Sequence, residues 1–356
     1  MDGVTGGHDG MRGSSSVRTG RRPTVKRRKI LTPDEYFKGI IEGNRTVIAR
    51  AITLIESNAP RHFETAQELL QRLLPYTGKS IRVGVSGVPG AGKSTFIEAL
   101  GNQLCDEGHK VAVLAVDPSS SITRGSILGD KTRMADLSRR ENAFIRPSPS
   151  GGMLGGVARK SRETMLLCEA AGFDVILIET VGVGQSEVTV RSMVDFFLLV
   201  LITGAGDELQ GMKKGVMEIC DAILVNKADG DNIISARSAA VEYTNMLHYL
   251  RPATRGWIPK ALTCSSAKKT GIDEVWNLIS TFRKTTVESG VFQERRRSQT
   301  LEWVFNMVTE QLKERFYNHD GVRRLIPSLK EELLSDRISA TMAATKLLAA
   351  FDKTSI

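Results

Sequence analysis

The chain has 356 residues, 41% hydrophobic and 25% charged, which is enough to bury a large core and excludes a disordered, collagen-like or disulfide-framework chain. Its net charge of +9 is unevenly spread: residues 1–30 carry eight Lys/Arg against Asp2 and Asp9, so two thirds of the excess sits in a basic leader. The remainder is close to balanced, and neither a nucleic-acid nor a membrane partner is expected: the basicity reads as a solvated tail, and no run of about 18 apolar residues occurs.

The leader lacks an apolar core, so it does not read as a secretory signal; Arg-rich and Ser-containing, it shares some features with transit peptides. Cys105, Cys168, Cys220 and Cys264 are dispersed, with no CxxC or Cys/His cluster, which fits a reducing compartment. The bacterial cytoplasm is the expected location, with the mitochondrial matrix as the alternative.

Order is expected from Thr32. Thr32-Pro33-Asp34-Glu35 combines an N-cap, a proline in the first turn and a Glu three residues after the cap. Up to about Tyr76 the pattern is helical: Val47, Ile48, Ala51, Ile52 and Ile55, then Ala66, Leu69, Leu70 and Leu73, recur at i, i+3/i+4. Apolar runs then alternate with helical stretches. The runs are Ile81–Val85, Val111–Val116, Val175–Ile178, Phe196–Ile202, Ala222–Val225 and Ala261–Cys264. They show little polar alternation, as strands covered on both faces do. The architecture predicted is α/β, with a mostly parallel, doubly wound sheet, and ligands bind such sheets beyond the carboxyl ends of the strands. After Gly271 the chain is helical again. Leu301, Val304, Phe305 and Val308 form an apolar face, and Pro327-Ser328 are expected to break the pattern before a last helix or helix pair over 329–351.

Gly87-Val88-Pro89-Gly90-Ala91-Gly92-Lys93-Ser94 matches G-x-x-x-x-G-K-[ST] between a predicted strand and a predicted helix, the context a P-loop requires. Glycines let backbone N–H groups turn inward around phosphates, and the helix N-terminus adds positive potential. Lys93 is expected to neutralise the β/γ-phosphates, Ser94 to ligate Mg²⁺ and Thr95 to reach the α-phosphate. The fold expected is therefore that of a P-loop NTPase with N-terminal and C-terminal helical extensions.

Asn226-Lys227-Ala228-Asp229 follows another strand and has the form N-K-x-D. The Asp229 carboxylate can accept from guanine N1–H and the exocyclic amine together, a donor pair adenine lacks. The Lys227 stem can lie over the base, and Asn226 can tie this loop to the P-loop. Cys264-Ser265-Ser266-Ala267-Lys268 follows the last strand, where Ser266, Ala267 and Lys268 complete the expected base site and the Ala267 N–H can reach guanine O6. A hard cation beside a triphosphate takes oxygen ligands. Asp117, Asp130 and Glu179 are the carboxylates expected near it with Ser94, and Asp117 is the best candidate to orient the attacking water. The catalytic set expected is Lys93, Asp117 and Glu179. Gly204–Gly215 and Gln185-Ser186-Glu187 have the composition of segments that respond to the γ-phosphate.

Asp117–Met134 (DPSS…GSILGDKTRM), Phe144–Gly156 (FIRPSPSGGMLGG), Glu163–Glu187 (ETMLLCEAAGFDVILIETVGVGQSE), Gly204–Gly215 (GAGDELQGMKKG) and the N-K-A-D loop closely resemble one family. It is the G3E-type P-loop GTPases that serve adenosylcobalamin-dependent acyl-CoA mutases, some of which carry an older label as arginine/ornithine transport ATPases. The resemblance runs from about residue 35 to about 350.

It implies a slow GTPase, usually homodimeric, that uses GTP/GDP and Mg²⁺. It further implies a chaperone that gates loading, protection and reactivation of a B12-dependent mutase, methylmalonyl-CoA mutase or a close relative. The adenosylcobalamin would be bound by the mutase, with a cobalamin adenosyltransferase as a further partner. Residues 204–215, with Lys213 and Lys214, correspond to a switch that relays nucleotide state. The domain organisation expected is a disordered leader over 1–31, a helical extension over 32–77, a GTPase domain over 78–285 and a helical dimerisation region over 286–356. A metal-insertion GTPase and a nucleotide-driven transport component are the alternatives.

Overall fold

The structure, a computed structural model, describes residues 31–116, 134–147, 154–180, 186–204 and 215–352. The basic leader, Asp117, Asp130, residues 205–214 of one predicted nucleotide-responsive segment and Gln185 of the other lie outside these residues.

Three helices come first: α1 (Pro33–Ile41), α2 (Arg45–Glu56) and α3 (Pro60–Leu73). The start of α1 is a full capping box. The Thr32 hydroxyl accepts from the Glu35 N–H at 3.2 Å, and the Glu35 carboxylate accepts from the Thr32 N–H at 2.9 Å. The periodic positions Ile48, Ala51, Ile52, Ile55, Ala66, Leu69, Leu70 and Leu73 are all buried.

The sheet has seven strands among the described residues: β1 (Ile81–Gly87), β2 (Val111–Val116), β3 (Ala143–Arg146), β4 (Val175–Thr180), β5 (Phe196–Leu201), β6 (Ala222–Val225) and β7 (Lys260–Thr263). Their order is β3-β2-β4-β1-β5-β6-β7, and every pairing is parallel. Helices α4 (Lys93–Asp106), α5 (Ala135–Arg139), α6 (Leu154–Ala170), α7 (Ser186–Arg191) and α8 (Ile233–His248) connect and cover it. β2, β4, β5 and β6 are buried at every residue, which is why their sequences run apolar without alternation. β3 was not among the predicted strands. It has four residues on the sheet's edge, paired with β2 and half-exposed over its second half, so it leaves almost no hydrophobic signal.

The register aligns Val85 with Glu179 and Gly87 with Val200, bringing the carboxyl ends of β1, β4 and β5 together. The chain leaves β1 for β2 on one side and later crosses back to β5 on the other, so these ends frame the crevice where such sheets bind ligands.

The first three helices pack on α6. Polar contacts reinforce the joint: Lys160 Nζ donates to Asn58 Oδ1 at 2.7 Å and Gln67 Nε2 donates to the Glu163 carboxylate at 3.2 Å, while Arg146 at the end of β3 pairs with Glu56 of α2. At the amino ends of the strands lies a buried ionic layer. Glu169 accepts from Arg82 Nε at 2.9 Å, from the Gly78 N–H at 2.8 Å and from the Ser80 hydroxyl. Burial opposes its ionisation, but the charge and hydrogen bond of Arg82, with Arg296 and Ser80, hold its carboxyl below the usual carboxylate range.

The chain closes with α9 (Ile272–Glu288), α10 (Val291–Asn318), α11 (Asp320–Leu334) and α12 (Ala340–Asp352). Pro327 does not break the helix, contrary to the expectation: it lies inside α11. Pro327 is exposed, so the carbonyl it leaves without an N–H partner faces water, while Val322 and Leu329 anchor the opposite face. Among the described residues no helix is long and apolar enough to cross a membrane.

Candidate nucleotide site

β1 hands the chain to the phosphate loop at Gly87. There φ is +144°, and a Cβ would lie 1.9 Å from the Val200 carbonyl oxygen of β5, so only glycine fits. Gly90 and Gly92 also take positive φ, and α4 starts at Lys93. Val88 and Ala91 are buried, whereas Pro89 and Gly90 are exposed at the loop's crest and Thr95 is exposed on the first turn of α4. Lys93 Nζ donates to the carbonyls of Gly87 at 2.8 Å and Val88 at 3.2 Å, which arches its ammonium over the loop. A cation, a helix N-terminus and permissive glycines thus share one turn, the combination that binds phosphate.

Beside it, Ser94 Oγ donates to Glu179 Oε1 at 2.7 Å. Glu179 is buried at the end of β4, and its neighbour Thr180 donates its hydroxyl to Ser86 Oγ of β1 at 3.0 Å. This clasp fixes the two strand ends. The donor set is a hydroxyl and a carboxylate, hard oxygens of the kind Mg²⁺ takes together with water, so these residues fit that ion. Asp117 and Asp130, the other predicted carboxylates, lie outside the described residues.

The N-K-x-D loop leaves β6 and meets the phosphate loop directly. Asn226 is 2% exposed and uses both ends of its amide. Nδ2 donates to the Ala91 carbonyl at 2.8 Å, while Oδ1 accepts from the Ser266 N–H at 3.1 Å, the Ser266 hydroxyl at 2.8 Å and Cys264 Sγ at 3.3 Å. The tie between Asn226 and the phosphate loop expected from the motif is therefore present. Gly92 allows it, since a Cβ there would sit 2.6 Å from Asn226 Nδ2.

Lys227 adopts φ +59°, a conformation that side chains other than glycine rarely take. The Asn232 amide braces it by donating to the Lys227 carbonyl at 2.8 Å. Lys227 is exposed and Asp229 half-buried. One Asp229 oxygen accepts from the Ser265 hydroxyl, which itself accepts from the Lys268 N–H at 3.2 Å. Ala267 and Lys268 are exposed beside this carboxylate, whereas Ser266 is turned inward onto Asn226. Of the three residues expected from the last loop, Ser266 thus braces Asn226 rather than lining the open face. Ser265 was missed. A Ser-Ser pair after a strand does not reveal which hydroxyl meets the acid. Burial pushes the Cys264 thiol up to about 11, so it acts here as a buried neutral donor.

A family model described as methylmalonyl Co-A mutase-associated GTPase MeaB matches residues 48–320. The chain belongs to this MeaB family. It is 50% identical over 307 residues to the GTPase ArgK of Escherichia coli, covering 85% of this chain and 93% of that one. It is 46% identical over 328 residues to the mouse methylmalonic aciduria type A homolog, mitochondrial, covering 89% and 79%. Among solved structures, a crystal structure titled LAO/AO transport system kinase matches with a TM-score of 0.75 and 40% identity, over 92% of this chain and all of that one. The chain is a MeaB-type P-loop GTPase with the fold of that structure. The Asn226 amide holds the loops after β1 and β6 together through its 2.8 Å bond to the Ala91 carbonyl.

Proposed function

We propose that this GTPase is a chaperone that gates adenosylcobalamin loading, protection and reactivation of a B12-dependent acyl-CoA mutase, methylmalonyl-CoA mutase or a close relative. The observation that carries the mutase half is the family match over residues 48–320. The nucleotide half is supported by the Asn226–Ala91 bond, which couples a triphosphate end to a guanine end.

In this reading the N–H groups of Gly87–Ser94 and the Lys93 ammonium hold the β- and γ-phosphates, and Thr95 lies at the α-phosphate. Ser94 and Glu179, with Asp117 and Asp130, hold Mg²⁺, which supplies charge neutralisation on the phosphates when bound. Asp117 orients the attacking water. Asp229 accepts from guanine N1–H and N2, Lys227 covers the base, and Ala267 and Lys268 close the pocket edge. Ser265 holds the Asp229 carboxylate so that its orientation is set before guanine arrives, which lowers the ordering cost of binding.

The adenosylcobalamin is carried by the mutase, and a cobalamin adenosyltransferase is a further partner. We read residues 32–77, 78–285 and 286–356 as helical extension, GTPase domain and dimerisation region. Leu301, Val304, Phe305, Val308 and Leu312 are exposed along α10 at i, i+3/i+4 spacing, a face suited to a second copy of the chain. The bacterial cytoplasm is the proposed location, with the mitochondrial matrix as the alternative.

Single-turnover GTP hydrolysis with and without a B12-dependent mutase tests the proposal. A chaperone is accelerated by its client and changes the rate of cofactor transfer to it. Hydrolysis and cofactor transfer that both ignore every acyl-CoA mutase tried would defeat it.

A further inference from the structure

Arg162 of α6 is not among the residues of the candidate nucleotide site, yet it is 8% exposed and bonded through both Nη atoms. Its Nη1 donates to the Gln299 carbonyl at 3.1 Å, and its Nη2 donates to the carbonyl and hydroxyl of Ser192 at 2.8 and 2.7 Å. The guanidinium carbon lies 5.6 Å from the centre of the Trp303 ring. Half-buried arginines nearby face acids: Arg191 pairs with Asp221 at 2.9 Å and Arg296 with Asp195 at 2.6 Å. The partners of Arg162 are carbonyls, a hydroxyl and an indole. Burial pulls its pKa down to about 10. A buried cation held this way is expensive as a stabilising device, so what it joins matters.

It joins two elements with different connections. Ser192 ends α7. Only residues 181–185 separate α7 from Thr180 and from Glu179, the carboxylate that holds Ser94. The inner face of α7 and its following turn press on β1 at Gly84, where a Cβ would lie 2.9 Å from Val190 Cγ1 and 3.2 Å from Val194 Cγ2. α7 therefore sits directly on the strand that feeds the phosphate loop.

Gln299 and Trp303 belong to α10. That helix grips the same turn again: Gln299 Nε2 donates to the Val194 carbonyl at 2.9 Å, and Arg296 Nε donates to Asp195 Oδ1 at 2.7 Å. Two residues beyond Gln299 begins the exposed apolar row Leu301, Val304, Phe305, Val308 and Leu312.

We propose that Arg162 and Gln299 form a relay that locks the C-terminal turn of α7 to α10, so that the state of the nucleotide site is read out in α10 and its exposed apolar face. The proposal rests on the nucleotide reading above. Arg162 and Gln299 are positioning residues: neither touches the P-loop or the base loop. A tightly packed helix between two rigid neighbours shifts as a unit, and the guanidinium fork makes the α7–α10 joint directional where apolar packing alone would let the helices slide.

The test is hydrogen exchange on the full-length protein with GDP and with a non-hydrolysable GTP analogue, comparing peptides from the phosphate loop and from α10. In the wild type, exchange across residues 299–312 is expected to differ by about threefold or more between the two nucleotides. In Arg162→Gln and in Gln299→Ala that difference should collapse to near zero, while protection of the phosphate loop by nucleotide persists. Arg162→Lys, which keeps the charge but loses the fork, should behave like Arg162→Gln. A merely structural staple would raise α10 exchange equally in both states and leave the difference intact. That outcome overturns the relay, as does a wild type whose α10 ignores the nucleotide while its phosphate loop is protected. If Arg162→Gln does not fold, Gln299→Ala decides, since it removes the other bond that locks the turn after α7 to α10, from the Gln299 side chain to the Val194 carbonyl, while Arg162 keeps its main-chain partner at position 299. A phosphate loop that no nucleotide protects would instead overturn the site reading, and the relay with it.

Discussion

Replacing Asn226 by Asp changes one atom's chemistry and leaves the shape unchanged. The Nδ2 that donates to the Ala91 carbonyl at 2.8 Å becomes an oxygen, so two acceptors face each other at a 2%-exposed site. The other oxygen still accepts from Ser266 and Cys264. Losing one buried hydrogen bond and leaving its carbonyl unsatisfied costs about 1–3 kcal/mol. A carboxylate held against a carbonyl is driven to bind a proton, which adds a comparable amount at neutral pH. A total of about 3 kcal/mol falls on the geometry that joins the two ends of the site, equivalent to roughly a hundredfold weaker nucleotide binding.

Isothermal titration with GDP at pH 7.5 and at pH 6 measures it. The protonated acid can donate to the Ala91 carbonyl, so affinity should recover partly at the lower pH. A variant that binds GDP within about threefold of wild type at pH 7.5, where the full penalty applies, would refute the idea that this amide fixes the site's span.

Three further outcomes are expected. Lys93→Ala should abolish measurable GTP turnover while α4 and the sheet remain folded by circular dichroism, because its ammonium is the charge arched over the phosphate loop. Gly87→Ala should lose nucleotide binding and lower Tm together, since its Cβ would lie 1.9 Å from the Val200 carbonyl oxygen; a thermal melt and a binding titration check it. Glu169→Gln should cost about 2 kcal/mol at pH 7 by weakening a buried ion pair. Because the folded-state pKa of Glu169 is depressed, that stability is present above its ordinary value near 4.5 and is lost as pH falls further, so the gap in denaturant midpoint between wild type and variant should close in acid.

The parts of the site that were legible in the sequence are those whose chemistry is local. Gly87–Ser94 and Asn226–Asp229 each state a function within a few residues, and the strand runs before them place both at carboxyl ends. Glu179 could be placed for the same reason. Ser265 could not, because nothing in the Ser265-Ser266 pair says which hydroxyl meets Asp229, 36 positions away. β3 was hidden by its length and edge position, and Pro327 misled because a proline on a wet helix face costs less than one inside a packed turn. The ionic layer under the sheet was also invisible. Arg296 meets Asp195 across 101 residues and Arg162 meets Gln299 across 137, and no periodicity announces pairs of that separation.

The way α1–α3 are attached also bears on how small a working version of this enzyme can be. Their oily side is sealed against α6, and the seams at Asn58–Lys160 and Gln67–Glu163 run along the joint. A chain trimmed to start just before β1 would keep every nucleotide-contacting motif, yet it would strip α6 of its cover and invite aggregation. Miniaturised versions should therefore retain the segment from Thr32 onward, even though it carries neither the phosphate-loop motif nor the N-K-x-D motif.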